Sequence, residues 1–278
     1  MLNTIRHDPP ETGETPQRRP LVIAHGLFGS ARNWGVVARR LAETGRTVLA
    51  VDMRNHGDSP RNPAHDYHEL AADLAGVIAA AGGQADVLGH SMGGKAAMAL
   101  ALLHPGRVGR LVVADIAPVA YGHSQSRHIA AMRGLDLSGL DTRSEADRRL
   151  AETVADPALR AFFLQSLDLK ARPPRWRLNL DVLEAEMDRI TGWPADIGGT
   201  FDGPTLFLAG ALSDYIRPEH RPLIKALFPA ARQAKIPEAG HWLHADRPRA
   251  FEAAVAAFLG CAPPPPGPVH PSAQAARP

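Results

Sequence analysis

Short apolar runs that alternate with helical patterns constrain this chain most. Leu21-Val22-Ile23-Ala24 is brief, partly β-branched and followed by a glycine turn, which suits a strand buried on both faces. Ser30 can cap a helix over about residues 30–43, and Gly45 can end it before the run Thr47-Val48-Leu49-Ala50-Val51. Asp66, with Glu69 three residues on, has the form of a capping box opening a helix to about Ala81. The strand Asp86-Val87-Leu88 follows. After Ser91 an alanine-rich helix runs to about His104, where Pro105 stops it, and Leu111-Val112-Val113-Ala114 supplies another buried strand. Strands separated by helices need crossover connections, so the pattern predicts an α/β fold with a mostly parallel sheet flanked by helices.

The alternation breaks over residues 118–201, a charged stretch with helical patterns near 127–134, 144–154 and 179–190. It reads as an inserted helical cap. Sheet patterns resume at Thr205-Leu206-Phe207-Leu208-Ala209 and, after a helix near Leu227, at Gln233-Ala234-Lys235-Ile236, with a last helix near 248–259. The expected organisation is an N-terminal segment 1–19, a core in two parts at 20–117 and 202–260 around the cap, and a tail 261–278. That tail holds Pro263-Pro264-Pro265-Pro266 and reads as disordered or polyproline-like. A chain of 278 residues accommodates one such core with an insertion.

Charge narrows the function classes. Lys and Arg total 31 against 29 Asp and Glu, so no basic field implies nucleic acid, and the arginine clusters read as solvated faces. Cys261 is the single cysteine, which excludes an internal disulfide and fits a reducing compartment. The polar N-terminus lacks an apolar stretch of secretory length, and no run of about 18 apolar residues occurs. The expectation is a cytoplasmic protein without membrane insertion.

Gly89-His90-Ser91-Met92-Gly93 matches the G-x-S-x-G nucleophile elbow and lies between an expected strand and an expected helix, the setting this motif requires. The turn holds the serine in a strained conformation, and glycines on either side let strand and helix pass closely. A helix beginning after Ser91 also aims unpaired amides at the site, so Met92 N–H is expected as one oxyanion donor. The second is expected from the loop His25-Gly26-Leu27-Phe28-Gly29, from Leu27 N–H with Phe28 as neighbour.

A serine hydroxyl needs a base, and imidazole suits that work near neutrality. Of 13 histidines, His241 lies in Ala239-Gly240-His241-Trp242 directly after the last expected strand, where the order serine, acid, histidine puts the base. His25, His90 and His56 lie in tight turns and are expected to hold backbone. A carboxylate must orient the base. Asp115, at the end of its strand, and Asp214, after the penultimate strand, compete for that place.

Together these motifs resemble the α/β-hydrolases, and more narrowly the bacterial YbfF-like esterases and their mammalian abhydrolase relatives. The likeness covers about residues 20–259 and rests on His25-Gly26-Leu27-Phe28-Gly29-Ser30, Asp52-Met53-Arg54-Asn55-His56-Gly57, Gly89-His90-Ser91-Met92-Gly93-Gly94-Lys95, Asp115-Ile116-Ala117-Pro118 and Gly240-His241-Trp242. For the YbfF-like group the resemblance implies the acid at Asp115, with Ser213 in the histidine's hydrogen-bond network. This chain also carries Asp214, the position used by many other α/β-hydrolases, so both acids stay open. The expected activity is hydrolysis of a carboxylic ester or thioester of a small to medium acyl group through a Ser91 acyl-enzyme, with no cofactor and no metal. Alternatives are another enzyme on this fold, a peroxidase or carbon–carbon bond hydrolase, or a non-catalytic ligand-binding protein. Ser91 stands where haloalkane dehalogenases need a carboxylate, which argues against dehalogenation.

Overall fold

A computed structural model describes residues 1–10 and 18–261; the proline-rich segment beyond Cys261 lies outside them. In chain order the first part of the core comprises β1 (Thr4–His7), β2 (Leu21–Ala24), α1 (Gly35–Ala42), β3 (Val48–Val51), α2 (Tyr67–Ala80), β4 (Ala85–His90), α3 (Met92–Leu103) and β5 (Val108–Ala114). The inserted region contains α4 (Ser126–Gly134), α5 (Arg143–Leu150), α6 (Pro157–Leu164), β6 (Leu167–Asp168), β7 (Arg175–Trp176), α7 (Leu180–Ala185) and α8 (Met187–Thr191). The core resumes with β8 (Thr205–Gly210), α9 (Arg221–Leu227), β9 (Ala231–Ile236), α10 (Leu243–Asp246) and α11 (Pro248–Phe258).

Seven strands form one sheet in the order β1-β3-β2-β4-β5-β8-β9, and every pairing is parallel except β1 with β3. The inner strands β2, β3, β4, β5 and β8 carry consecutive apolar residues because both faces are covered. Val22, Leu49, Val87, Leu111 and Val113 face Leu70, Leu74 and Met98 of α2 and α3. Their neighbours Leu21, Ile23, Val48, Leu88 and Val112 face Val37 and Leu41 of α1 and Phe251 and Val255 of α11. Each large aliphatic side chain so buried contributes about 1.5–3 kcal/mol. Asp66 caps α2, its side chain accepting from Glu69 N at 3.0 Å.

Two features depart from the sequence reading. Residues 1–19 are not merely a leading segment, since Thr4–His7 adds the antiparallel edge strand. Three of its four residues are polar, Arg6 is exposed and none is fully buried, as in many protected sheet edges, so Ile5 alone gives no apolar pattern to announce it. The inserted region is not purely helical: β6 and β7 form a small antiparallel ribbon, and α6 is a further helix. Ile129, Met132, Phe163, Leu183 and Met187 of this region join the apolar cluster on the α2–α3 side of the sheet. Leu159, Phe162 and Ile190 of this region line one cavity with Ser91 and His241, which follow the carboxyl ends of β4 and β9, where open α/β sheets bind ligands.

Candidate active site

Sheet order brings distant residues together at that edge. Ser91 follows β4, Asp115 follows β5, Ser213 follows β8 and His241 follows β9. Ser91 has φ 53° and ψ −120°, a strained conformation fixed by its N–H donating to Ala114 O at 3.1 Å. The flanking glycines are required sterically: a Cβ on Gly93 would stand 2.4 Å from Ala24 O, and one on Gly89 would stand 2.1 Å from Gly93 O.

His241 Nε2 lies 3.1 Å from Ser91 Oγ, and His241 Nδ1 lies 2.8 Å from Asp115 Oδ2. Asp115 is fully buried, and its carboxylate also accepts from Gly210 N at 3.0 Å and from Ser213 Oγ. A turn with φ 52° at Asp115 follows the strand. Asp214 is exposed, and among the described residues the carboxylate that meets His241 is that of Asp115. Ser213 thus touches the same Asp115 oxygen as the histidine. The Tyr215 ring stacks on His241 at 3.9 Å between centroids, a contact no motif signalled.

The loop after β2 presents its amides by a chain of pinned carbonyls. Gly26 O accepts from Gly29 N at 3.0 Å and meets His25 Nδ1 at 2.8 Å. A trans peptide points its N–H opposite its C=O, so the Leu27 amide is turned away from both partners and has no acceptor among the described residues. Phe28 N–H instead donates to His56 Nε2 at 3.2 Å. Met92 opens α3, so its amide is one of the first-turn donors without an intrahelical acceptor.

The three other histidines of the motifs hold backbone. His25 Nε2 accepts from Met53 N, His56 Nδ1 lies 2.9 Å from Arg54 O, and His90 Nε2 lies 2.8 Å from His241 O. Burial pushes the pKa of His56 and of His90 well below the ordinary imidazole value, so both are neutral near pH 7. Among the described residues no three His, Cys, Asp or Glu side chains converge to hold a metal, and no helix is long and apolar enough to cross a membrane.

A cavity of about 370 Å³ opens over Ser91 and His241, between core residues such as Met92 and Ile116 and cap residues such as Leu159, Phe162 and Ile190. At its edge is a buried cation that the sequence reading passed over. Lys95, one helical turn beyond Ser91, donates from Nζ to Thr191 O at 2.8 Å and Gly192 O at 2.6 Å, and sits 4.8 Å from the Tyr121 ring centroid. Burial pushes its ammonium down to about 7 from 10.5. Below pH 7 it is protonated in the folded and the unfolded chain alike. Between 7 and 10.5 the unfolded chain binds the extra proton, so stability rises with pH in that window, by up to about 1.4 kcal/mol per unit. Urea denaturation at pH 7 and pH 9 is expected to show this gain in the wild type and its loss in Lys95→Met. An equal response in both proteins would contradict the assignment.

A family model described as alpha/beta hydrolase fold matches residues 19–248. The chain belongs to the α/β-hydrolase fold family. This α/β-hydrolase is 43% identical over 247 residues to the Mus musculus protein named sn-1-specific diacylglycerol lipase ABHD11, covering 86% of this chain and 80% of the relative. It is 39% identical over 245 residues to Esterase YbfF of Escherichia coli strain K12, covering 86% of this chain and 92% of the relative. A solved structure titled Marine microorganism esterase superposes with a TM-score of 0.85 at 37% identity, covering 92% of this chain and 98% of that one. The narrower resemblance read from the motifs thus holds over most of the chain's length.

Proposed function

We propose that this α/β-hydrolase cleaves carboxylic esters through an acyl-enzyme on Ser91. The observation that carries the reading is the unbroken line from Asp115 through His241 to Ser91, with contacts of 2.8 Å and 3.1 Å, beneath the mouth of a cavity. His241 Nε2 takes the Ser91 proton as Oγ attacks the acyl carbon, while Asp115 holds Nδ1–H and stabilises the imidazolium. The Leu27 and Met92 amides receive the oxyanion, and Ser213 and Gly210 keep the Asp115 carboxylate in place. His241 then gives its proton to the departing alcohol or thiol, and water, activated by the same imidazole, releases the acid and restores Ser91.

The names of the mouse lipase, the Escherichia coli esterase and the marine esterase support an ester as the substrate class. The cavity is of ordinary small-ligand size and mixes apolar walls with polar groups at the serine, which fits acyl groups of small to medium length. A panel of nitrophenyl esters and acyl thioesters of increasing chain length tests this. The expected result is the highest kcat/KM at short to medium acyl length, falling at least tenfold for the longest chains. A rise that continues through long acyl groups would overturn the size assignment.

A further inference from the structure

We infer that Ser166, a cap residue, is a positioning residue for the oxyanion loop, acting with His56 by gripping the two sides of Phe28. The inference rests on the Ser91 reading above and adds to it a role for the cap.

Phe28 has φ 65°, a left-handed conformation that an aromatic residue adopts only when its surroundings impose it. Two side chains from different parts of the chain do so. His56, on the loop after β3, accepts the Phe28 N–H, and Ser166 Oγ donates to Phe28 O at 3.0 Å. Both gripping residues are almost wholly buried, at 1% and 3% exposure, so water does not compete for either bond. The Phe28 ring packs edge-on against Phe163 of α6 at 5.5 Å, a second contact from the cap.

The grip is closed into a circuit. Ser166 O accepts from Arg177 N at 2.8 Å, and Leu178 bridges to His56. Asn179 N donates to Asn55 O at 2.9 Å, while the Asn179 amide meets Asn55 Oδ1 at 3.0 Å. The cap therefore holds both the residue that donates to Phe28 O and the loop that accepts from Phe28 N–H. Through Phe28 it sets the orientation of the adjoining Leu27 peptide, and Leu27 lines the cavity beside Ser91.

Such a role belongs to the transition state. Loss of the Ser166 hydroxyl leaves the acyl-binding walls in place and loosens a donor whose full removal costs about 10²–10³ in kcat. The test is steady-state kinetics of Ser166→Ala and Ser166→Thr with one nitrophenyl ester, with active sites counted by exhaustive reaction with a fluorophosphonate. Expected for Ser166→Ala is a fall of about tenfold in kcat per counted site with KM within twofold, a smaller form of that oxyanion loss. Ser166→Thr, which keeps the hydroxyl, is expected to regain most of it. If Ser166→Ala does not fold, Ser166→Cys keeps the volume with a weaker donor and carries the same expectation in reduced size. Wild-type kcat per counted site in a merely less heat-stable Ser166→Ala would overturn the inference, as would a raised KM with unchanged kcat. A wild-type protein that takes up no fluorophosphonate would overturn the Ser91 reading and this inference together.

Discussion

Ser91→Ala is expected to abolish ester turnover while leaving the fold intact, with kcat reduced by about 10⁵–10⁶-fold. The size follows from the triad acting as a unit: without Oγ there is no acyl-enzyme, and His241 has no proton to take. What remains is the contribution of the oxyanion donors and of substrate binding. The fold survives because Ser91 is held through its backbone, its N–H donating to Ala114 O and its carbonyl accepting from Lys95 N at 3.0 Å. Alanine keeps both bonds, and its methyl fits where the serine Cβ stood. Thermal unfolding followed by circular dichroism is expected to show a Tm close to that of the wild type. Retained turnover in a preparation free of other esterases would remove Ser91 from the chemistry.

The second large effect separates the two aspartates. Asp115→Asn is expected to lower kcat by about 10⁴-fold and Asp214→Asn by less than tenfold. In the native site Asp115 Oδ2 accepts from both His241 Nδ1 and Ser213 Oγ, while Oδ1 accepts from Gly210 N. An asparagine side chain has one acceptor oxygen and one NH₂ donor. If the oxygen stays with Gly210 N, the NH₂ faces His241 Nδ1 and forces the tautomer protonated at Nε2, which cannot take the Ser91 proton. If the amide turns over, the Gly210 amide loses its acceptor in a fully buried place. Asp214 is exposed, and among the described residues the carboxylate bonded to His241 is that of Asp115, so neutralising Asp214 changes a surface charge. Kinetics of the two amide variants on one ester decide the matter, and the reverse ordering would contradict it.

Much of this was legible because it is local. The elbow announces itself through glycines that only a close strand and helix crossing demands, and Asp66 with Glu69 marks the start of α2 through a bond between near neighbours. The apolar runs of β2 to β5 mark a sheet covered on both faces. The edge strand Thr4–His7 was not legible, because Ile5 is its one apolar residue and a single position makes no periodic signal. The motif resemblance pointed to Asp115, but residue pattern alone did not separate it from Asp214: both follow neighbouring strands at the same sheet edge, and the turn at Asp115, with φ 52°, accompanies the one that meets His241. The stacking of Tyr215 on His241 and the bond from Ser166 to Phe28 depend on sheet order and cap docking, which local periodicity does not encode. Lys95 stood within a recognised motif, but its burial against the carbonyls of Thr191 and Gly192 is a property of the assembled cap.

The central claim is that Ser91 carries the covalent step. Its most direct test is mass spectrometry of the protein after treatment with a fluorophosphonate, followed by peptide mapping. The account predicts a single adduct on the peptide containing Ser91, formed more slowly when a competing ester is present and absent from Ser91→Ala. An adduct on any other residue, or an unlabelled protein that still turns over ester, would contradict it.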